Sequence, residues 1–386
     1  MTKFLSLLLV LSLALNAYLI VNLDRKQTGQ LNISDTDTER DKAPQEVIAA
    51  KKLPSLSNDV QEENIRLSQE AEVAYQSPQT LSADELFNLL TRLQKNSQFV
   101  ELILPLREYL KRYPDDYRAW LIEADMILHT ESLNVAIANY YNLLDKPLPA
   151  QEIENIQKII TVNTTSVIRQ LTGDGAWELL ATFLEPLIQI DPLNKRYILA
   201  LARAYGQLEQ FILMENALAA LPSNDARAQG LRTQMYQRDE TPDLGEIAPN
   251  ELEETVSLSK RSVPVAGNGE QFFVPAKIGP RRYTLLLDTG ASTTAINQSS
   301  FERIASAEKE FIGYFNVQTA GGGIQAPLYR LDKLVLGEIE VNQVSVIVLP
   351  DENLKGRFAG LLGMNVLRAF EMRFDPEKQT MTLFER

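Results

Sequence analysis

The sequence predicts a multidomain protein with an all-α domain followed by an all-β domain, and two patterns in its 386 residues support this class. Residues 81–237 carry apolar side chains at helical spacing, as at Leu86 and Leu90. Residues 262–386 instead contain short runs of branched and aromatic residues that are separated by turn sequences, as expected for strands. The acidic stretch at 238–261 contains helix-breaking prolines and a glycine, and it is therefore predicted to be a linker.

The composition excludes several classes of function. Acidic residues outnumber basic ones by 51 to 38, which gives a net charge of −13. Without a dense cluster of Lys and Arg to neutralise phosphates, nucleic acid is not expected as a partner. The chain has no cysteine and one histidine, His129. It therefore lacks the residues for a Cys/His zinc site or a Cys-His dyad, and we expect no metal or organic cofactor. Carboxylates are the plausible catalytic groups.

The first 23 residues are predicted to anchor the chain in a membrane. After Lys3, residues 4–23 are almost entirely apolar, and about 20 such residues are enough to cross a bilayer. A cleaved signal peptide would end at a clear site of small residues, whereas this apolar stretch continues past its one poor candidate. We expect a transmembrane helix at 1–23 in a single-pass inner-membrane protein whose later domains face the periplasm, although the flanking charges do not decide the orientation.

Residues 24–80 are rich in polar and charged residues, have few aromatics and lack a sustained apolar period. Such a segment cannot bury enough apolar surface to fold by itself. We predict a flexible spacer with one short helix near 59–73.

The helical domain carries a degenerate repeat. A Tyr-Pro-Asp-Asp sequence at 113–116 and an Ile-Asp-Pro-Leu-Asn sequence at 190–194 each end one helix and open the next. This pattern resembles tetratricopeptide repeats, whose paired helices stack into a solenoid, and it is clearest near 97–129 and 176–207. The resemblance implies a groove that binds a protein partner, and the alternative is a helical spacer with the same packing.

The sequence feature that most strongly indicates a catalytic function is the octapeptide Leu-Leu-Leu-Asp-Thr-Gly-Ala-Ser at residues 285–292. Three apolar residues can form a buried strand that carries Asp288 to a turn at Thr289 and Gly290. Asp-Thr-Gly alone is a weak signal, because it also occurs in ordinary surface turns. About seventy residues later, however, the sequence Gly-Leu-Leu-Gly at 360–363 places two apolar residues before a glycine and then a short helix.

This combination resembles the retropepsin family of aspartic proteases over residues 262–386, in which the apolar-apolar-Gly strand passes under the catalytic turn. The resemblance implies that Asp288 is the catalytic carboxylate, that the Thr289 hydroxyl bonds the loop of a partner chain, and that Gly290 lets the backbone turn. Aspartic proteases need two carboxylates that share one proton, and this chain carries the signature once. We therefore expect a homodimer in which each chain contributes its Asp288.

A glycine tract follows at 319–327, with the sequence Thr-Ala-Gly-Gly-Gly-Ile-Gln-Ala-Pro. In retropepsins this position carries the flap, a hairpin that closes over the substrate. The alternative is a simple β-turn. A phosphate cradle is not expected, because no Lys-Ser/Thr pair follows. The resemblance assigns substrate binding to Ala291, Ala320, Gly321, Gly322, Gly323 and Ile324.

The sequence thus predicts a membrane-anchored, homodimeric aspartic endopeptidase that hydrolyses peptide bonds in polypeptide substrates. The first alternative is a non-catalytic scaffold, in which the helical repeats bind a partner and the β domain dimerises. A weaker alternative is a glycosidase, which would need a second carboxylate from Asp332, Asp351 or Glu352.

Overall fold

The computed structural model describes residues 58–76, 81–237, 262–268, 271–319, 321–354, 356–375 and 380–385. In this part of the chain a helical region precedes a β-rich domain, and the predicted fold class is confirmed. The predicted anchor at 1–23 and linker at 238–261 lie outside the described residues. No helix within the described ranges is long and apolar enough to span a membrane.

The helical region consists of α1 (Asn58–Gln76), α2 (Ala83–Lys95), α3 (Phe99–Arg112), α4 (Tyr117–Thr130), α5 (Leu133–Leu144), α6 (Ala150–Asp174), α7 (Trp177–Ile190), α8 (Lys195–Gln207), α9 (Phe211–Leu218) and α10 (Ala226–Tyr236). Polar caps fix several starts. Ser82 and Glu85 form a reciprocal capping box at α2, and Asn194 accepts from the amides of Arg196 and Tyr197 at α8. The repeat-like pairs near 97–129 and 176–207 are α3 with α4 and α7 with α8.

Helix α1 lies before the predicted domain boundary at residue 81 and packs against the helical region. The short helix predicted near 59–73 within a spacer extends over Asn58–Gln76. Its residues Leu67 and Ala71 are buried in one cluster with Leu86 and Leu90 of α2. The helical region therefore begins by Asn58, because α1 buries an apolar face against its neighbours.

The β domain contains ten strands among its described residues: β1 (Ser262–Asn268), β2 (Gln271–Ile278), β3 (Arg281–Leu287), β4 (Thr294–Asn297), β5 (Lys309–Thr319), β6 (Gly322–Leu336), β7 (Ile339–Leu349), β8 (Gly360–Leu362), β9 (Phe370–Asp375) and β10 (Thr380–Glu385). Two short helices, α11 (Gln298–Phe301) and α12 (Met364–Leu367), interrupt them. The strand order in the sheet is β5-β6-β7-β4-β8-β3-β2-β1-β10-β9. Strands β9 and β10 pair in antiparallel orientation at one edge of this sheet.

Strand β8 lies between the two strands that flank the Asp288 turn. It runs parallel to β3, with Leu361 opposite Leu286. It runs antiparallel to β4, with the same Leu361 opposite Ala295. The turn at residues 288–293 is therefore held by a strand that is distant in sequence.

The helical region and the β domain pack directly against each other. One buried cluster joins Phe183, Leu184 and Leu187 of α7 to Phe315 of β5 and Leu328 of β6. The rings of Phe183 and Phe315 lie 5.9 Å apart, centroid to centroid. Separate domains were expected from the acidic linker, but the two regions share this part of their cores.

Phe183→Ala tests this shared core. Removing a buried aromatic side chain should lower the free energy of unfolding by about 3–5 kcal/mol. We expect helical and β-sheet circular dichroism signals to shift together to lower urea concentration, because both regions lose the same contact.

Leu193→Ala is the matched control, because this side chain is 81% exposed and its removal should change stability by less than about 0.5 kcal/mol. A helical transition that shifts while the β-sheet transition stays in place would contradict a shared core.

Candidate active site

Asp288 stands at the end of β3, in the turn that the sequence predicted. The Asp288 amide donates to the carbonyl of Leu362 at 3.1 Å. Its carboxylate oxygen Oδ1 accepts from the amide of Gly290 at 2.9 Å. Asp288 is half-buried, whereas Thr289 and Gly290 are exposed. The turn thus fixes the carboxylate and leaves its tip open to another molecule.

The segment after β8 forms hydrogen bonds with the second half of the same turn, at Ala291 and Ser292. The amide of Met364 donates to the carbonyl of Ala291 at 2.7 Å, and the amide of Asn365 donates to the carbonyl of Ser292 at 3.0 Å. A Cβ atom on Gly363 would lie 2.6 Å from the carbonyl carbon of Thr293. Glycine is required here because the two backbones approach too closely for any side chain.

A buried polar network, which the sequence analysis did not predict, supports the turn on the side of β8. The amide and hydroxyl of Thr294 both donate to Asn365 Oδ1 at 2.8 Å. The amide of Gly363 donates to the Thr294 hydroxyl at 3.1 Å, and Asn365 Nδ2 donates to the carbonyl of Ser345 at 2.9 Å. In the sequence, the polar Asn365 directly before the apolar Val366 and Leu367 is the feature that indicates such a network.

The glycine tract forms the tip of the hairpin between β5 and β6. Thr319 pairs with Gly322 across the strands, and its hydroxyl donates to the Gly322 carbonyl at 2.8 Å. Gly322 has a φ of 112°, a conformation that favours glycine. The three glycines are exposed and Ile324 is half-buried, while Ala320 lies outside the described residues.

The turn and the hairpin enclose a cavity of about 750 Å³. Asp288, Gly290 and Ala291 line it from the turn, and Gly323 and Ile324 line it from the hairpin. Thr289, Gly321 and Gly322 are not among its lining residues. Five of the predicted site residues therefore meet at one cavity.

Helix α7 supplies a wall that the sequence did not predict. Glu178, Leu179 and Thr182 line the same cavity as Asp288. More than a hundred residues separate them along the chain, and nothing in the local sequence of α7 distinguishes them from residues of a packed helix.

The family model described as "gag-polyprotein putative aspartyl protease" matches residues 274–369, which contain the Asp288 turn, the hairpin and β8. The C-terminal domain is a retropepsin-like aspartic protease domain. Among solved structures, the chain is similar to a crystal structure of a retropepsin-like aspartic protease from Rickettsia conorii. The two are 23% identical, with a TM-score of 0.26, over 32% of this chain and 91% of that chain. No curated protein matches the chain.

The other carboxylates considered from the sequence do not line the cavity of the retropepsin-like domain. Asp332 is exposed on β6, Asp351 accepts from the amide of Ser299 at 3.0 Å, and Glu352 is exposed. None of the three lines the cavity. None of the three therefore shares this cavity with Asp288 as the second carboxylate that a glycosidase needs.

The helical region also reaches the polar network of the retropepsin-like domain. Asp174 at the end of α6 accepts from the amide of Ser345 at 3.1 Å, and Gln170 Nε2 donates to the Ser345 hydroxyl at 3.2 Å. Burial raises the pKa of the Asp174 carboxyl, and the hydrogen bonds from Ser345 and Gln170 with the charge of Arg330 offset only part of this shift.

Gly363→Ala should displace the Asp288 turn and lower the free energy of unfolding by about 1–3 kcal/mol, because the new Cβ would overlap the backbone of Thr293. Thermal and urea unfolding measure this loss. Gly230→Ala in α10 is the control, since its Cβ meets nothing within 4 Å. In a helix this second change should be neutral or stabilise by up to about 1 kcal/mol. Equal effects of the two substitutions would rule out the close approach as the reason for glycine.

Asp174→Asn should change how stability depends on pH. The folded-state pKa lies above the ordinary value of 3.8, so the folded state holds the proton more tightly than the unfolded chain. Wild-type stability is therefore expected to fall as pH rises from about 4 through the raised pKa.

The Asp174→Asn variant keeps an acceptor for the Ser345 amide but has no carboxyl group to titrate, so its free energy of unfolding should not fall over this pH range. The difference in free energy of unfolding between the variant and wild type, measured in urea, should therefore grow as pH rises. Asp115→Asn, at an exposed residue, is the control. Parallel pH curves for Asp174→Asn and wild type would contradict the interpretation.

Proposed function

We propose that the chain is an aspartic endopeptidase that acts as a homodimer and is anchored to the inner membrane by residues 1–23, with the protease domain in the periplasm. The observation that carries the proposal is the cavity between the Asp288 turn and the glycine hairpin, in a domain matched by an aspartyl protease family. Asp288 is the only carboxylate of the retropepsin-like domain that lines this cavity among the described residues.

A second copy of the chain would supply the second carboxylate. Thr289 and Gly290 are exposed at the tip of the turn, which leaves them free to meet the same turn of a partner. Two Asp288 carboxylates facing each other cannot both ionise comfortably, so they would share one proton. The ionised Asp288 would then take a proton from water, and the protonated one would donate its proton to the carbonyl oxygen of the peptide.

The water oxygen would form a bond to the carbonyl carbon of the peptide and give a tetrahedral diol. Collapse of the diol would break the C–N bond, with the proton taken from water passing from the first Asp288 to the leaving amine. The second Asp288 would take a proton back from a hydroxyl of the diol, so that the pair again holds one proton. No metal or organic cofactor is needed for this cycle.

The cavity is suited to a polypeptide segment. It combines apolar residues such as Ile324 and Leu361 with polar groups. The hydroxyl of Thr293 is buried in its wall and has no hydrogen-bond partner among the described residues. A bound main chain could satisfy this hydroxyl, and the exposed hairpin tip at Gly321–Gly323 could close over it as a flap.

Asp288→Asn should reduce cleavage of an unfolded protein mixture by roughly a hundredfold to ten-thousandfold, because general acid–base catalysis is lost. Mass spectrometry of the products at several pH values measures this loss. Asp332→Asn is the matched control, since Asp332 is exposed on β6 and lies outside the cavity. Cleavage that is equal in wild type and Asp288→Asn, or absent from both, would instead favour the non-catalytic scaffold.

A mixing experiment tests the shared site. Adding excess Asp288→Asn chain to wild type should lower the activity per wild-type chain, because mixed dimers hold one carboxylate. Analytical ultracentrifugation under the same conditions should show dimers. Full activity in a strictly monomeric sample would contradict the homodimer.

A further inference from the structure

We propose that α7 of the helical region forms one wall of the substrate cleft and that Glu178 selects substrates with a lysine or arginine side chain at the position it faces. This inference rests on the proposed peptidase function and adds a substrate class to it. It also gives the helical region a direct role in choosing the substrate.

The first observation is the shape of the cleft. Glu178 and Thr182 are four residues apart on α7, so they lie on one face of the helix. Both are exposed, and both line the cavity that contains Asp288. Leu179 is 6% exposed and also lines it. A peptide that reaches Asp288 through this cavity would therefore meet the α7 face.

The second observation is that α7 is held firmly. Leu180, Leu184 and Leu187 are fully buried on its other side, and Phe183 packs against Phe315 of the hairpin strand β5. A wall fixed in this way can discriminate between ligands, because little ordering is needed when the ligand binds.

The third observation is the charge of the cavity. Among the described residues, Glu178 and Asp288 are the only charged ones that line it. No Lys or Arg of the described residues forms an ion pair with Glu178. A cavity whose described lining residues include carboxylates and no cation attracts positive charge, and a lysine or arginine of the substrate would form a charge-assisted hydrogen bond with Glu178. An acidic side chain would be repelled there.

Glu178 also lies in the first turn of α7, where a negative charge stabilises a helix. That role alone would affect stability and leave substrate preference unchanged. The two roles are therefore separable by measuring both quantities on the same variants.

The test uses the full-length chain and a set of decapeptides in which lysine, glutamine or glutamate is placed in turn at each position. Wild type should favour lysine over glutamine by about tenfold in kcat/KM at one position. Glu178→Gln should bring this ratio close to one, and Glu178→Lys should favour glutamate there.

Glu154→Gln is the matched control, because it removes an equal charge from an exposed residue of α6 that does not line the cavity. Its lysine-to-glutamine ratio should equal that of wild type. An unchanged ratio in both Glu178 variants, whether or not they are less stable, would overturn the proposal.

A binding measurement separates this inference from the proposed function. Fluorescence anisotropy of the same labelled peptides is measured with Asp288→Asn and with Asp288→Asn/Glu178→Gln. If wild type cleaves nothing, the proposed function fails, and a preference for lysine peptides that disappears with Glu178→Gln still supports the α7 wall. Equal affinities for the two proteins, or no binding to either, would overturn it.

Discussion

The close passage of β8 under the Asp288 turn is the constraint on which the rest of the site depends. Gly360 and Gly363 have no room for a side chain, because a Cβ on Gly360 would lie 2.0 Å from the carbonyl oxygen of Ala295. This contact lets Leu362 accept from the Asp288 amide. The carboxylate is thus positioned by backbone groups, which are less free to move than side chains. A carboxylate held in this way needs little reorganisation when another molecule binds to it.

The polar network beneath the turn extends this constraint to the helical region. Thr294 and Ser345 are fully buried, and buried polar groups are costly unless they are hydrogen-bonded. Asn365 satisfies both of them, and Asp174 of α6 satisfies the Ser345 amide. The end of α6 is therefore joined to the support of the Asp288 turn through a short series of hydrogen bonds. Such a network favours one arrangement of the two regions over others.

The same two regions also meet at the cleft. Phe183 packs against Phe315 at the base of the glycine hairpin, while Glu178 of the same helix lines the cavity. A helical region that served merely as a spacer before the retropepsin-like domain would need neither contact. Its shared core with the hairpin strand instead means that changes in the helical region act on the walls of the cavity, and both regions must be considered when substrate choice is studied.

The sequence by itself determined the elements whose signal is local. The apolar run before Asp288, the glycines at 321–323 and Leu361-Leu362-Gly363 all have the residue types that their backbone positions require, so the β domain, the Asp288 turn and the glycine hairpin could be predicted. The sequence also predicted a helix near 59–73, but not that it packs into the helical core. Only the tertiary structure brought α7 to the cavity and Asp174 to Ser345, because these contacts join residues more than a hundred positions apart and leave no periodic pattern. Short stretches of sequence determine a strand or a turn and the side chains it carries, whereas the contact between two surfaces depends on the packing of the whole chain.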